Sequence, residues 1–170
     1  PLNTASNNGH KSMVQLLLDH GAKVNFCGQN KTSPLAEACK HGRGEIVHLL
    51  LSKGADINLC TEDDASPLFL ACQNGHCSTV QILLKTGAKI NLCKKNGASP
   101  LFIACKNGHE RIVEHILQNK ADVNLCMNDG ISPLYVACQN QLNNIVHILL
   151  EKNDYMICLM ISVVNYDDFY

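Results

Sequence analysis

Cys72, His76 and Cys77 form the one cluster in this 170-residue sequence with metal-like spacing. A structural zinc centre takes four ligands, usually as two spaced pairs, and no second pair accompanies this one. His10, His76 and His109 each follow an Asn-Gly pair. A histidine that returns in repeated wording points to a shared structural task, here a turn-stabilising hydrogen bond. His20, His41, His48, His115 and His147 are scattered and are expected on solvated faces. No phosphate-binding glycine loop, no glycine-flanked nucleophilic serine and no carboxylate pair set apart from the repeated text is present. The sequence therefore offers no catalytic residue, no metal site and no cofactor site, and is not read as an enzyme.

The surrounding text is periodic. Ser-Pro-Leu recurs at Ser33, Ser66, Ser99 and Ser132, a step of 33 residues, and Pro1-Leu2 is a fifth copy without its serine. Gly-Ala-(Lys/Asp)-(Val/Ile)-Asn recurs at Gly21, Gly54 and Gly87. This period and wording resemble the ankyrin repeat. The resemblance covers roughly residues 1–153. It implies an all-α solenoid of about five stacked helix-turn-helix units, approximately 1–32, 33–65, 66–98, 99–131 and 132–153. Segments 26–32, 59–65, 92–98 and 125–131 would then form hairpin-like fingers along one edge. Residues 154–170 remain as a C-terminal capping or interaction tail.

The local signals agree with that architecture. Serine caps a helix and proline suits its first position, where the missing N–H would be unpaired anyway. First helices are predicted near 34–41, 67–74, 100–107 and 133–140. Apolar residues at i, i+1, i+3 and i+4, such as Ile46, Val47, Leu49 and Leu50, predict second helices with one covered side. Gly21, Gly54 and Gly87 follow those helices as left-handed terminators, and Lys120 stands in the fourth such place. Local strain or an altered turn is expected at Lys120. In the first unit, polar Asn3, Thr4, Ser6, Asn7 and Asn8 suit an end that faces water.

Composition narrows the function. Fourteen basic and fifteen acidic residues leave a formal net charge of -1. That balance argues against a dedicated nucleic-acid or membrane-surface binder. Eight of the ten cysteines fall in two columns, Cys39, Cys72, Cys105, Cys138 and Cys27, Cys60, Cys93, Cys126. Stacked helices lie ~8–10 Å apart and a disulfide needs Cα atoms within ~7 Å, so pairing down a column is disfavoured. Reduced, small, buried cysteines and a cytoplasmic location are expected. The sequon Asn30-Lys31-Thr32 is weak support for secretion. Pro1 lies inside a repeat, so the sequence reads as part of a longer chain, and the lack of a leader carries little weight.

Surface recognition remains. The residues that vary between similar units concentrate in the fingers: Gln29, Asn30 and Lys31; Thr61, Glu62, Asp63 and Asp64; Lys94, Lys95 and Asn96; Met127, Asn128 and Asp129. An acidic finger beside a basic one suits a protein or peptide with complementary charge. Where ankyrin repeats read Thr-Pro-Leu-His, this sequence places Ala36, Phe69, Phe102 and Tyr135 after the leucine. The resemblance sets Phe69, Phe102 and Tyr135 near the concave side as an aromatic ladder, with packing between units weighed above direct partner contact. The resemblance also matches Asn25, Asn58, Asn91 and Asn124 to the target position of an asparaginyl hydroxylase. The expected function is a non-catalytic protein-protein interaction module that binds a protein or peptide through its concave face and fingers, as a monomer. The alternative is a structural protein that assembles through the apolar run Met156–Val164. That run is too short to cross a bilayer.

Overall fold

A computed structural model describes residues 1–152, and the expected capping or assembly tail lies outside the described residues. Ten α-helices form five pairs: α1 Leu2–Asn8 with α2 Lys11–Asp19, α3 Pro34–Lys40 with α4 Gly44–Ser52, α5 Pro67–Gln73 with α6 Cys77–Lys85, α7 Pro100–Lys106 with α8 Glu110–Gln118, and α9 Pro133–Gln139 with α10 Asn143–Glu151. A 3₁₀ turn covers Gln29–Lys31. Among the described residues there is no β-strand.

The serine and proline signals act as the chemistry requires. Ser33, Ser66, Ser99 and Ser132 each accept a hydrogen bond at Oγ from the backbone N–H three residues on, at 3.0–3.1 Å. Each following proline occupies the start of the helix. Lys120 keeps the left-handed turn at φ 65°, beside glycines at φ 84–93° in the other units.

The helices stand in two layers. First helices α1, α3, α5, α7 and α9 touch in sequence, and second helices α2, α4, α6, α8 and α10 do the same. Ala38, Ala71, Ala104 and Ala137 are fully buried where the layers meet. Leucine and isoleucine fill the spaces between pairs, among them Leu35, Leu68, Leu101, Ile46, Ile112 and Ile145. Each unit thus covers the side of the next, which is how a short helix pair becomes stable without a central core.

The ends differ from the sequence expectation in one respect. Ser6 does not face water: it is fully buried, in the column otherwise held by cysteine, and its hydroxyl has no partner among the described residues. Asn3 is half-buried and donates from Nδ2 to the Thr32 carbonyl at 2.6 Å. The first unit must pack against α3, and that contact overrides the polarity of its text.

Candidate interaction surface

The four fingers are hairpin-like turns closed by backbone hydrogen bonds. Thr61 N–H donates to Ala65 O at 3.0 Å, Lys94 N–H to Ala98 O at 3.0 Å and Met127 N–H to Ile131 O at 3.0 Å. Successive fingers are also tied to one another. Glu62 N–H donates to Asn30 O at 2.9 Å, Lys95 N–H to Asp63 O at 3.2 Å and Asn128 N–H to Asn96 O at 3.0 Å. One rung per neighbouring pair fixes the register of the fingertips. Gly97 is required by this arrangement: at φ 83°, a Cβ there would lie 2.6 Å from Asn128 Oδ1 and 2.7 Å from its backbone nitrogen.

The side chains divide into those that hold the row and those that leave it. Asn96 Oδ1 accepts from Ala98 N–H at 3.2 Å, and Asp129 Oδ1 accepts from Ile131 N–H at 3.1 Å, so both brace their own finger. Met127 is half-buried against the core. Lys94 holds its ammonium 5.6 Å from the centre of the Phe69 ring, a cation–π contact. Glu62, Asp63 and Lys95 are exposed and make no side-chain hydrogen bond or ion pair among the described residues. Asp64 is exposed with backbone φ 61° and faces Cys60 closely enough to help push that thiol up, after burial as the larger cause.

The aromatic column is not a continuous surface. Phe69 and Phe102 are 2% and 4% exposed, so their rings pack inside the array and are withdrawn as partner-contact residues. Tyr135 is 56% exposed. The physical reason is position: the preceding members of the column are covered by the unit that follows, whereas α9 and α10 have no following unit among the described residues.

The histidine column binds between units. His76 Nε2 donates to the Lys40 carbonyl at 3.0 Å and His109 Nε2 to the Gln73 carbonyl at 3.3 Å. A carbonyl can only accept, so those nitrogens carry the proton. Each ring rests on the turn glycine of the preceding unit, His76 on Gly42 and His109 on Gly75. Arg43 does the same task without being histidine, lying against Gly9 and donating from Nε to Asn7 O at 3.1 Å. The sequence text identified the column but not the neighbour it reaches. With His76 so directed, it does not join Cys72 and Cys77, and no group of three metal-ligating side chains converges among the described residues.

Asparagines knit the loops in the same way. Asn25, Asn58 and Asn91 accept at Oδ1 from the backbone N–H of Asp56, Lys89 and Asp122, at 2.9–3.1 Å. Cys39, Cys72 and Cys105 are buried, whereas Cys138 is exposed at the last unit. Burial pushes the Cys39 and Cys72 thiols up and raises Cys105 to about 12. Cys27, Cys60, Cys93 and Cys126 lie on the loops, and no disulfide joins the described cysteines.

The stacked pairs, turn glycines and rung-linked fingers all repeat in one register, and the profile for ankyrin repeats in three copies matches residues 1–61 and 68–159. The chain is an ankyrin-repeat protein. No curated protein matches it. Ankyrin repeats generally serve as protein-protein interaction modules and are typically non-catalytic. No helix among the described residues is long and apolar enough to cross a membrane.

Proposed function

We propose that this ankyrin array is a non-catalytic scaffold or adaptor that grips a protein or peptide through fingers 59–65 and 92–98 and the adjoining concave face. The observation that carries the reading is the pairing of Glu62 and Asp63 with Lys95. Their fingers are joined by the 3.2 Å rung from Lys95 N–H to Asp63 O, and their charged groups have no internal partner. The backbone rung fixes the spacing of the two fingertips, so acidic and basic side chains are presented side by side and free to meet a partner's charges. A partner that offers a basic group beside an acidic one would be recognised. A polyanion would meet the acidic finger at a cost.

Tyr135 is the aromatic anchor available to such a partner, because its ring is exposed and its hydroxyl serves a polar contact. The protein is read as a cytoplasmic monomer that works in the reduced state. The test is capture from source-cell lysate with the array and with a variant carrying Glu62→Ala, Asp63→Ala and Lys95→Ala. Loss of a captured protein from a variant of unchanged helicity supports the fingers. Equal capture by both refutes them. Lys94 is left in place because its removal would uncover Phe69.

A further inference from the structure

The loops that join successive helix pairs are each of one charge sign. Segment 22–32 carries Lys23 and Lys31 and no acid, and segment 55–65 carries Asp56, Glu62, Asp63 and Asp64 and no base. Segment 88–98 carries Lys89, Lys94 and Lys95 and no acid, and segment 121–131 carries Asp122 and Asp129 and no base. The sign therefore reverses at every unit, although the chain as a whole is close to neutral. These charged residues are all exposed except Lys94, which is half-buried over Phe69.

Contacts inside the array do not use this alternation. The ion pairs among the described residues are Lys11–Glu45, His41–Glu37 and Lys53–Asp19, and none joins one of these loops to the next. Asp56, Asp122 and Asp129 accept backbone N–H groups of their own loops. Between the charged positions of the second, third and fourth loops stand Leu59, Leu92 and Leu125, half-buried and outside the buried core. The backbone sets the spacing of the row. Each finger is closed by its own hydrogen bond and tied to the next by a rung, so one step along the row is two hydrogen-bonded chain spacings, roughly 10 Å at ~4.8 Å each.

Resting on the proposed function, in which fingers 59–65 and 92–98 grip another protein, we infer that the row of loops docks an amphipathic α-helix of that partner, laid along the stack, whose charged residues change sign every seven residues. At 1.5 Å per residue, seven residues advance a helix by about 10.5 Å and return the side chain to nearly the same face, about 20° away. An extended strand covers the same step in three residues, at about 3.3 Å each, and turns every second charge away from the array. Each heptad of the helix thus meets one loop. Its signs run acidic, basic, acidic, basic from the first loop to the fourth, with an apolar residue per heptad for Leu59, Leu92 and Leu125. A segment of uniform charge, of either sign, is repelled by every second loop.

The probes are synthetic helical peptides of four heptads and one composition, titrated against the full chain by fluorescence anisotropy. In one peptide the heptads alternate acidic and basic; in its isomer two acidic heptads precede two basic ones. The alternating peptide is expected to bind at least about tenfold more tightly, with the difference shrinking as salt rises. Equal affinities overturn the proposal, and tighter binding by an isomer whose signs reverse every three residues overturns the helix. Lys89→Glu with Lys95→Glu tips the third loop to acidic. Affinity for the alternating peptide should then fall about tenfold, and a peptide whose facing acidic heptad is made basic should recover it, with helicity of the array unchanged. No recovery overturns the charge order. Isomers that bind alike, while Glu62→Ala, Asp63→Ala, Lys95→Ala still abolishes capture from lysate, overturn the helix and leave the finger reading standing; equal capture by wild type and that variant overturns the finger reading itself. Mass that rises with concentration, and does so less in the Lys89→Glu, Lys95→Glu variant, would make the occupant a second copy turned end for end and overturn the assignment.

Discussion

Replacing Thr79 by valine should stabilise the array. Thr79 is fully buried between α4 and α6, and its hydroxyl has no hydrogen-bond partner among the described residues. The same column holds Ile46, Ile112 and Ile145, so the site is built for an apolar side chain. A buried hydroxyl without a partner costs about 1–3 kcal/mol, and valine has nearly the same shape and a similar helix propensity. The expected gain is about 1–2 kcal/mol after allowing for relaxation around the site. For a chain of this length that corresponds to a rise of roughly 2–8 °C in thermal midpoint. Urea and thermal unfolding followed by circular dichroism measure it, with Thr79→Ser as the control. Serine keeps the hydroxyl, loses the methyl contact and should lower stability by about 1 kcal/mol. If valine proves no more stable than threonine, the hydroxyl has a partner and the reasoning fails.

Further expectations follow from the turns and thiols. Gly75→Ala places a Cβ 2.8 Å from His109 Cε1 at φ 75°, and should cost about 2–3 kcal/mol from backbone strain plus the loosened His109 bond. In a His109→Ala background the cost should shrink towards the backbone part alone, a non-additivity that a double-mutant cycle reads. Lys120→Gly relieves a left-handed lysine at φ 65° and should gain up to about 1 kcal/mol in urea unfolding; a loss would mean the lysine side chain contributes more than the strain costs. Native protein should react with a thiol reagent at Cys27, Cys93 and Cys126 and spare Cys39, Cys72 and Cys105 until it unfolds. The same buried thiols predict a pH effect. Their folded values lie above the ordinary 9.0, with Cys105 raised to about 12, so the unfolded chain releases protons first. Stability is therefore full below pH 9 and declines as pH rises from 9 towards 12, and a flat urea midpoint across that window would contradict the burial.

Helix starts were legible in the sequence because Ser-Pro is a local instruction whose partner, an N–H three residues on, is fixed by the helix itself. What one residue owes to the next unit was not legible. His76 and Arg43 look unrelated as text, yet both sit on the preceding turn glycine. Phe102 and Tyr135 occupy the same column, yet one is buried and the other exposed, because exposure depends on whether a following unit lies against the ring. Ser6 reads as a surface residue and is buried for the converse reason, being covered by the unit after it. In the fingers, sequence variation drew attention to Asn96 and Asp129, whose side chains turn out to brace the turns. Variation marks positions that are free of the repeat pattern, and only the hydrogen bonds separate those free for a partner from those occupied at home.

The central claim is that Glu62, Asp63 and Lys95 recognise the partner. The most direct measurement takes the protein captured by the array, titrates it calorimetrically against the wild-type chain and the Glu62→Ala, Asp63→Ala, Lys95→Ala variant, and repeats both at raised salt. Charge-mediated docking predicts that the variant binds at least about tenfold more weakly, that wild-type affinity falls as salt rises, and that the variant loses most of that salt dependence. Equal affinities and equal salt slopes, with helicity unchanged, would contradict the account.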